Sequence, residues 1–149
     1  MSNLLRVALV TWLAVVLASS PIATRAAGIA SKTVWDGLYS SAQANRGQTL
    51  YDKKCASCHM PDLSGGGDEA AAVLRGADFF AQWNNKSVGD IFKTIGEGMP
   101  KDAPGSLSGS EVADVVAFLL KKNLIPAGDK ELPTSAATLT EVLVTSSPK

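Results

Sequence analysis

Two cysteines and the only histidine of the chain fall together as Cys55-Ala56-Ser57-Cys58-His59, and their spacing selects the chemistry. Thiols three positions apart can add to two vinyl groups along one edge of a porphyrin. The imidazole of the next residue then lies beneath the iron as its proximal axial ligand. The motif therefore reads as an attachment site for a c-type haem. Zinc also takes cysteine and histidine, but a structural zinc site is closed by four such ligands, and this chain has only Cys55, Cys58 and His59. A thioredoxin-like redox pair sits among alternating strands and helices, and no such alternation surrounds Cys55.

An iron held by His59 has a second axial position, and few side chains can fill it. Met1 belongs to the N-terminal leader, and Met60 is bonded to His59, so it cannot reach round the porphyrin. Met99, followed by Pro100, is the remaining methionine, and no second histidine competes. Methionine is a soft, weakly basic ligand that favours ferrous iron, so a Met/His pair raises the reduction potential. The alternative is that Met99 only fills core space, which would leave the sixth position open for gas binding or haem enzymology. Leu74 (or Val73), Trp83, Ile95 and Pro100 are the further haem contacts expected. Phe79, Phe80 and Trp83 form an aromatic cluster suited to core packing, while the functional reading puts the Trp83 ring nitrogen on a haem propionate.

These residues must be positioned by helices. The first is capped by Ser40, with Gln43 closing a capping box, and runs to about Lys54. Its inner face carries Gly47, Leu50 and Tyr51. Glycine costs about 1 kcal/mol against alanine inside a helix, so Gly47 implies a close helix crossing. Pro61 to Gly67 reads as a loop, from which a backbone carbonyl can accept the His59 ring proton. Glu69 to Arg75 is alanine-rich and reads as a short helix. A further helix starts at Ser87 with Asp90 as its capping partner and a stripe of Val88, Ile91, Phe92 and Ile95; Gly96 and Gly98 stop it. The last begins at Ser108 with Glu111, carries Val112, Val115, Val116, Leu119 and Leu120, and closes on Lys121 and Lys122 before Asn123 and Pro126. Phe118 and Val115 are expected to meet Gly47 and Tyr51. Val34, Trp35, Leu38 and Tyr39 read as a lead-in, and residues 127–149 as a partly extended tail along the domain surface with a frayed end.

The remaining segment is an address. Met1 to Arg6 carries one positive charge, Val7 to Ala18 is an apolar run, and Ser19 to Ala27 is rich in small residues. This pattern is a secretory signal peptide, too short in its apolar part for a comfortable membrane span of about 20 residues, with an uncleaved anchor as the alternative. Residues 1–27 are therefore read as the leader, 28–40 as the lead-in, 41–124 as the domain and 125–149 as an extension. The chain has 149 residues, 46% of them apolar, which suits a single domain with a haem enlarging its core. Fourteen basic residues balance fourteen acidic ones, so neither nucleic acid nor a strongly charged membrane is indicated as partner. Removing Arg6 and Arg25 with the leader leaves a mildly acidic protein.

From Ala42 to Leu124, the helix with Gly47 and Tyr51, the Cys55 to His59 motif, Met99-Pro100 and the last helix follow the order of a bacterial class I monohaem cytochrome c, which this chain resembles. The resemblance implies an all-α fold of three to five helices around one low-spin haem. Trp83 through Met99-Pro100 to Ser108, with Asn123 to Pro133, is similar to cytochrome modules that accompany periplasmic quinoprotein dehydrogenases. That narrower similarity implies a dehydrogenase as electron donor, with an oxidase or another cytochrome as acceptor. Asp68-Glu69-Ala70 departs from the proline-containing segment of many relatives, which leaves Leu74 open. The expected function is periplasmic single-electron transfer, either as a free carrier or as a fixed subunit of a larger complex. Lys53, Lys54, Lys86, Lys93 and Lys101 either steer an acidic partner or simply solvate helix faces.

Overall fold

The structure is a computed structural model that describes residues 32–66 and 71–148. The leader expected over residues 1–27 lies outside the described residues. Five α-helices follow in order: α1 (Ser41–Lys54), α2 (Ala56–His59), α3 (Gly76–Trp83), α4 (Val88–Gly98) and α5 (Gly109–Lys122), with a 3-10 turn at Ala136–Leu139. Among the described residues the only β pairing is two isolated bridges at Leu143, so the all-α expectation holds.

The helices begin where their caps place them. The Ser87 hydroxyl accepts from the Asp90 backbone N–H, while the Asp90 carboxylate accepts from the Ser87 N–H; Ser108 and Glu111 repeat the arrangement on α5. The cap of α1 is simpler. Ser40 accepts from the Gln43 N–H at 3.1 Å, but the Gln43 side chain does not return to close a box. It turns inward, accepting from the Leu132 N–H at 2.8 Å and donating to the Leu132 carbonyl at 3.3 Å. Leu132 is buried in an irregular segment without a sheet partner, and its backbone polar groups need these bonds to leave water.

The core is built on the crossing of α1 and α5. A Cβ at Gly47 would overlap the Asp114 carbonyl oxygen and press on the Phe118 Cβ, so only glycine permits this approach. One turn on, the Tyr51 and Phe118 rings lie 5.0 Å apart between centroids. The Arg46 guanidinium spans the same crossing, bonding Asp114 at 2.9 and 3.0 Å and Glu131 at 2.9 and 3.0 Å. Val112, Val115, Val116, Leu119 and Leu120 are all buried, as their stripe implies.

The described residues before α1 and after α5 are part of this interior, so the tail enters the core and does not merely lie along the surface as expected. Leu132, Leu139, Val142 and Val144 are core side chains beside Val34 and Tyr39 of the lead-in. Val142 to Val144 runs between the lead-in and the turn before α4. On one side Val34 N–H donates to Leu143 O and Leu143 N–H to Lys32 O; on the other Val88 N–H donates to Val142 O and Val144 N–H to Lys86 O, each at 2.8–2.9 Å. The Trp35 ring nitrogen donates to Thr145 O at 3.0 Å. Behind α4, Gly89 admits the 3-10 turn: a Cβ there would sit 2.7 Å from Ala136 O.

Two consequences can be measured. Gly47→Ala should lower the unfolding free energy by about 1–3 kcal/mol in urea titration, the usual cost of overpacking, despite the roughly 1 kcal/mol that alanine gains over glycine within a helix. Stability at or above that of the parent would show that α1 and α5 can part without loss. The second concerns acid. Asp90 and Glu111 are held below the usual carboxylate range, first by backbone bonds from Ser87 and Ser108, and Glu131 by Arg46. A carboxylate depressed in the folded state stabilises above its unfolded pKa, and that contribution disappears as pH falls through the folded value. The melting temperature should therefore hold from neutrality to about pH 5 and fall below about pH 4, modestly and less so in high salt because the groups lie near the surface. Asp90→Asn should flatten part of that fall.

Candidate functional site

Helix α1 delivers the motif. Cys55 is its C-cap, with its N–H on Tyr51 O at 2.8 Å, and the chain at once turns into α2. Cys58 and His59 N–H groups both donate to Cys55 O, at 3.2 and 2.9 Å. This single turn puts Cys55, Cys58 and His59 on one face, since side chains three and four apart are neighbours on a helix. The turn is held from behind: the Tyr51 hydroxyl donates to Met60 O at 2.8 Å, and Leu63, buried, donates its N–H to the same carbonyl at 3.0 Å.

His59 is oriented by the backbone. Its Nδ1 lies 2.9 Å from Ala72 O. A carbonyl only accepts, so Nδ1 carries the proton and Nε2 presents a lone pair, the arrangement a metal-ligating imidazole requires. The acceptor was expected within Pro61 to Gly67 and is found beyond it. Leu74 N–H donates to Leu63 O at 2.9 Å and Gly66 N–H to Ala71 O at 3.0 Å, so residues 71–74 fold back along the loop. The short helix expected over Glu69 to Arg75 is accordingly absent in its described part, residues 71–75, and α3 starts at Gly76. The reason lies in the acceptors. The carbonyls of Ala71, Ala72 and Leu74 are committed to Gly66, His59 and Asn123, and are not free for helical bonds.

The rival chemistries find no support in this geometry. Cys55 and Cys58 are free thiols, both half-buried. Burial pushes the Cys55 thiol up to about 11, against a smaller lowering by Lys54, whereas a redox-active pair needs a depressed thiol. Among the described residues no three His, Cys, Asp or Glu side chains converge as a metal site of the zinc kind.

The other predicted contacts come from α3, α4 and the segment between α2 and α3. Leu74 and Ile95 are half-buried and pack against the core, as do Cys55, Ala56 and Phe80. Trp83 is buried with Phe79 on α3, and Lys86 lies 5.2 Å above its ring, a cation–π contact the sequence did not suggest. Met99 caps α4, its N–H on Ile95 O at 3.0 Å, and both Met99 and Pro100 are half-buried. Lys53, Lys54, Lys86, Lys93 and Lys101 are all exposed. Two thiols on one turn with an imidazole bonded through Nδ1 would suit a porphyrin held by two thioether links, with the other imidazole nitrogen available to its metal. An open cavity of about 580 Å³ is lined by Ser64, Val73, Arg75, Ala77, Lys122 and Leu124, and of the expected haem contacts it includes only Val73, the alternative to Leu74.

Sequence reasoning missed the residues that act through their backbone or through bonds to it. Ala72 gives no signal, because every residue has a carbonyl. Asn123 was expected only as a helix stop, yet its side chain is buried and bonds Leu74 and Gly76.

Residues 42–119 match the family described as cytochrome c oxidase, cbb3-type, subunit III. Among curated proteins, none matches the chain. Among solved structures, the crystal structure of the sulfane dehydrogenase SoxCD from Paracoccus pantotrophus is similar in fold, with 23% identity and a TM-score of 0.53. The alignment covers 77% of this chain and 61% of that one, so the chain spans about three-fifths of its neighbour's length. With residues 42–119 matched, more than half of its length and including the cysteine–histidine turn, the chain belongs to this family of cytochrome c domains.

Proposed function

We propose that the chain is a periplasmic single-electron carrier that holds one haem c through Cys55 and Cys58, with His59 and Met99 as axial ligands. The observation that carries this reading is the His59 ring, fixed through Nδ1 by Ala72 O and carried on the same single turn as both thiols. When bound, haem c supplies a reversible one-electron couple between ferrous and ferric iron. The protein's part is to hold that couple still. His59 keeps one ring orientation, and Met99, placed at the end of α4 after Ile95, would serve as the second axial ligand. Leu74, Ile95 and Pro100 would keep water from the haem, and the Trp83 ring nitrogen would donate to a propionate. No residue acts as acid, base or nucleophile.

Export supports the location, since the sequence before Gly28 has the form of a secretory leader and c-type haem is attached outside the bacterial cytoplasm. No helix among the described residues is long and apolar enough to cross a membrane. The donor is a dehydrogenase, in keeping with the fold neighbour and with the sequence similarity to modules of quinoprotein dehydrogenases; the acceptor is an oxidase or another cytochrome of the respiratory chain.

Visible spectra of the oxidised and reduced protein, with and without carbon monoxide, test the ligand pair. The parent should be low-spin, show the weak methionine-to-ferric charge-transfer band and ignore carbon monoxide, while Met99→Ala should lose the band and bind the gas. A parent that binds carbon monoxide readily has an open sixth site, and gas binding or enzymology would take the place of electron transfer.

The packed tail and lead-in favour a second reading, a haem subunit fixed in a dehydrogenase complex. Purification at low and high salt separates the two. A free carrier should lose its partner in high salt, where steering charges are screened, and a stoichiometric complex surviving both conditions would establish the subunit.

A further inference from the structure

Asn123 follows the last residue of α5 and is 5% exposed. Its side chain makes three bonds to backbone. Nδ2 donates to Leu119 O at 2.8 Å within its own helix and to Leu74 O at 3.0 Å, and Oδ1 accepts from Gly76 N–H at 2.8 Å. The amide therefore grips the chain on both sides of Arg75. Between this grip and the 63–66 loop, residues 71–75 have no helix or strand of their own. They are held by Gly66 N–H on Ala71 O at one end, and at the other by Leu74 N–H on Leu63 O and by Asn123. The carbonyl that fixes His59 belongs to Ala72, in the middle of that span.

We propose that Asn123 is a positioning residue for the axial histidine: by clamping Leu74 and Gly76 to the end of α5, it holds Ala72 O at hydrogen-bond distance from His59 Nδ1. The inference rests on the haem reading above and is independent of Met99. Its physical content is electronic as well as mechanical. A strong bond from Nδ1–H to a carbonyl makes the imidazole more electron-rich and a better ligand for ferric iron. When the segment loosens, the bond lengthens, ferric iron loses stabilisation and the reduction potential rises. Loss of any buried hydrogen bond lowers stability, so stability alone does not test the idea; the potential does.

The experiment is a spectroelectrochemical titration of the full-length haem protein beside Asn123→Ala, Asn123→Ser and, as a control, Gln43→Ala. Gln43 is equally buried and makes two bonds to Leu132 backbone, away from the histidine segment. All three substitutions should lower the melting temperature. Only the Asn123 variants should shift the potential upward, with alanine at least as large as serine. Amide hydrogen exchange in the parent supplies a check that needs no variant to fold: the Gly76 amide should exchange as slowly as the interior amides of α5. Unmoved potentials in both Asn123 variants, an equal shift in Gln43→Ala, or a Gly76 amide exchanging like an exposed loop would each overturn the proposal while leaving the haem reading intact. A parent protein that carries no covalently bound haem would overturn both.

Discussion

Everything at the candidate site depends on how closely α1 and α5 approach. Gly47 lets the two backbones meet at Asp114, and Tyr51 then reaches Phe118 and, through its hydroxyl, Met60 O. Tyr51 O in turn receives the Cys55 N–H. The residue that packs the crossing is thus also the one that fixes both ends of the cysteine–histidine turn. A side chain at Gly47 would separate the helices and with them the surface from which Cys55, Cys58 and His59 project. The Arg46 guanidinium, shared between Asp114 and Glu131, ties the crossing to the tail, although an exposed ion pair of this kind adds little to stability by itself.

A second constraint is what a fold without sheets must do with irregular backbone that it buries. Polar groups leaving water need partners, and here buried side-chain amides supply them. Gln43 reaches from α1 to both backbone groups of Leu132, and Asn123 reaches from the end of α5 to Leu74 and Gly76. His59 does the same from α2 to Ala72. Each of the three sits in or at the end of a helix and stitches a coil segment onto the bundle. The segment running from Ala71 to Gly76 receives two of these stitches, which is why it can hold a carbonyl against an imidazole without regular structure of its own.

The chain also uses residues outside the stretch shared with its family. The match spans residues 42–119, yet Val34, Tyr39, Ile125, Leu132, Leu139, Val142 and Val144 are buried in the same core. The tail passes between the lead-in and the turn before α4, and the 3-10 turn rests on Gly89. These additions brace the N-terminal half of α4, the helix whose far end carries Met99. They give this chain a larger interior than the shared stretch alone would provide, and apolar burial scales stability accordingly.

Much of this was legible without coordinates, because it is local. Motif spacing put Cys55, Cys58 and His59 on one turn, serine caps placed the starts of α1, α4 and α5, and the glycine at position 47 signalled a close crossing. The helix expected over Glu69 to Arg75 shows the limit: alanine propensity favours a helix there, but over the described residues 71–75 tertiary donors from Gly66, His59 and Asn123 take the carbonyls first. Gln43 likewise had the spacing of a capping residue and was drawn instead to Leu132. The sequence by itself determined the spacing of the cysteine–histidine turn, the all-α class and the helix starts, all of which follow from neighbours within a few positions. Only the tertiary structure decided which carbonyl holds His59, what Asn123 and Gln43 bind, and that the tail enters the core, because those outcomes depend on backbone groups common to every residue and on partners some 13 to 110 positions away.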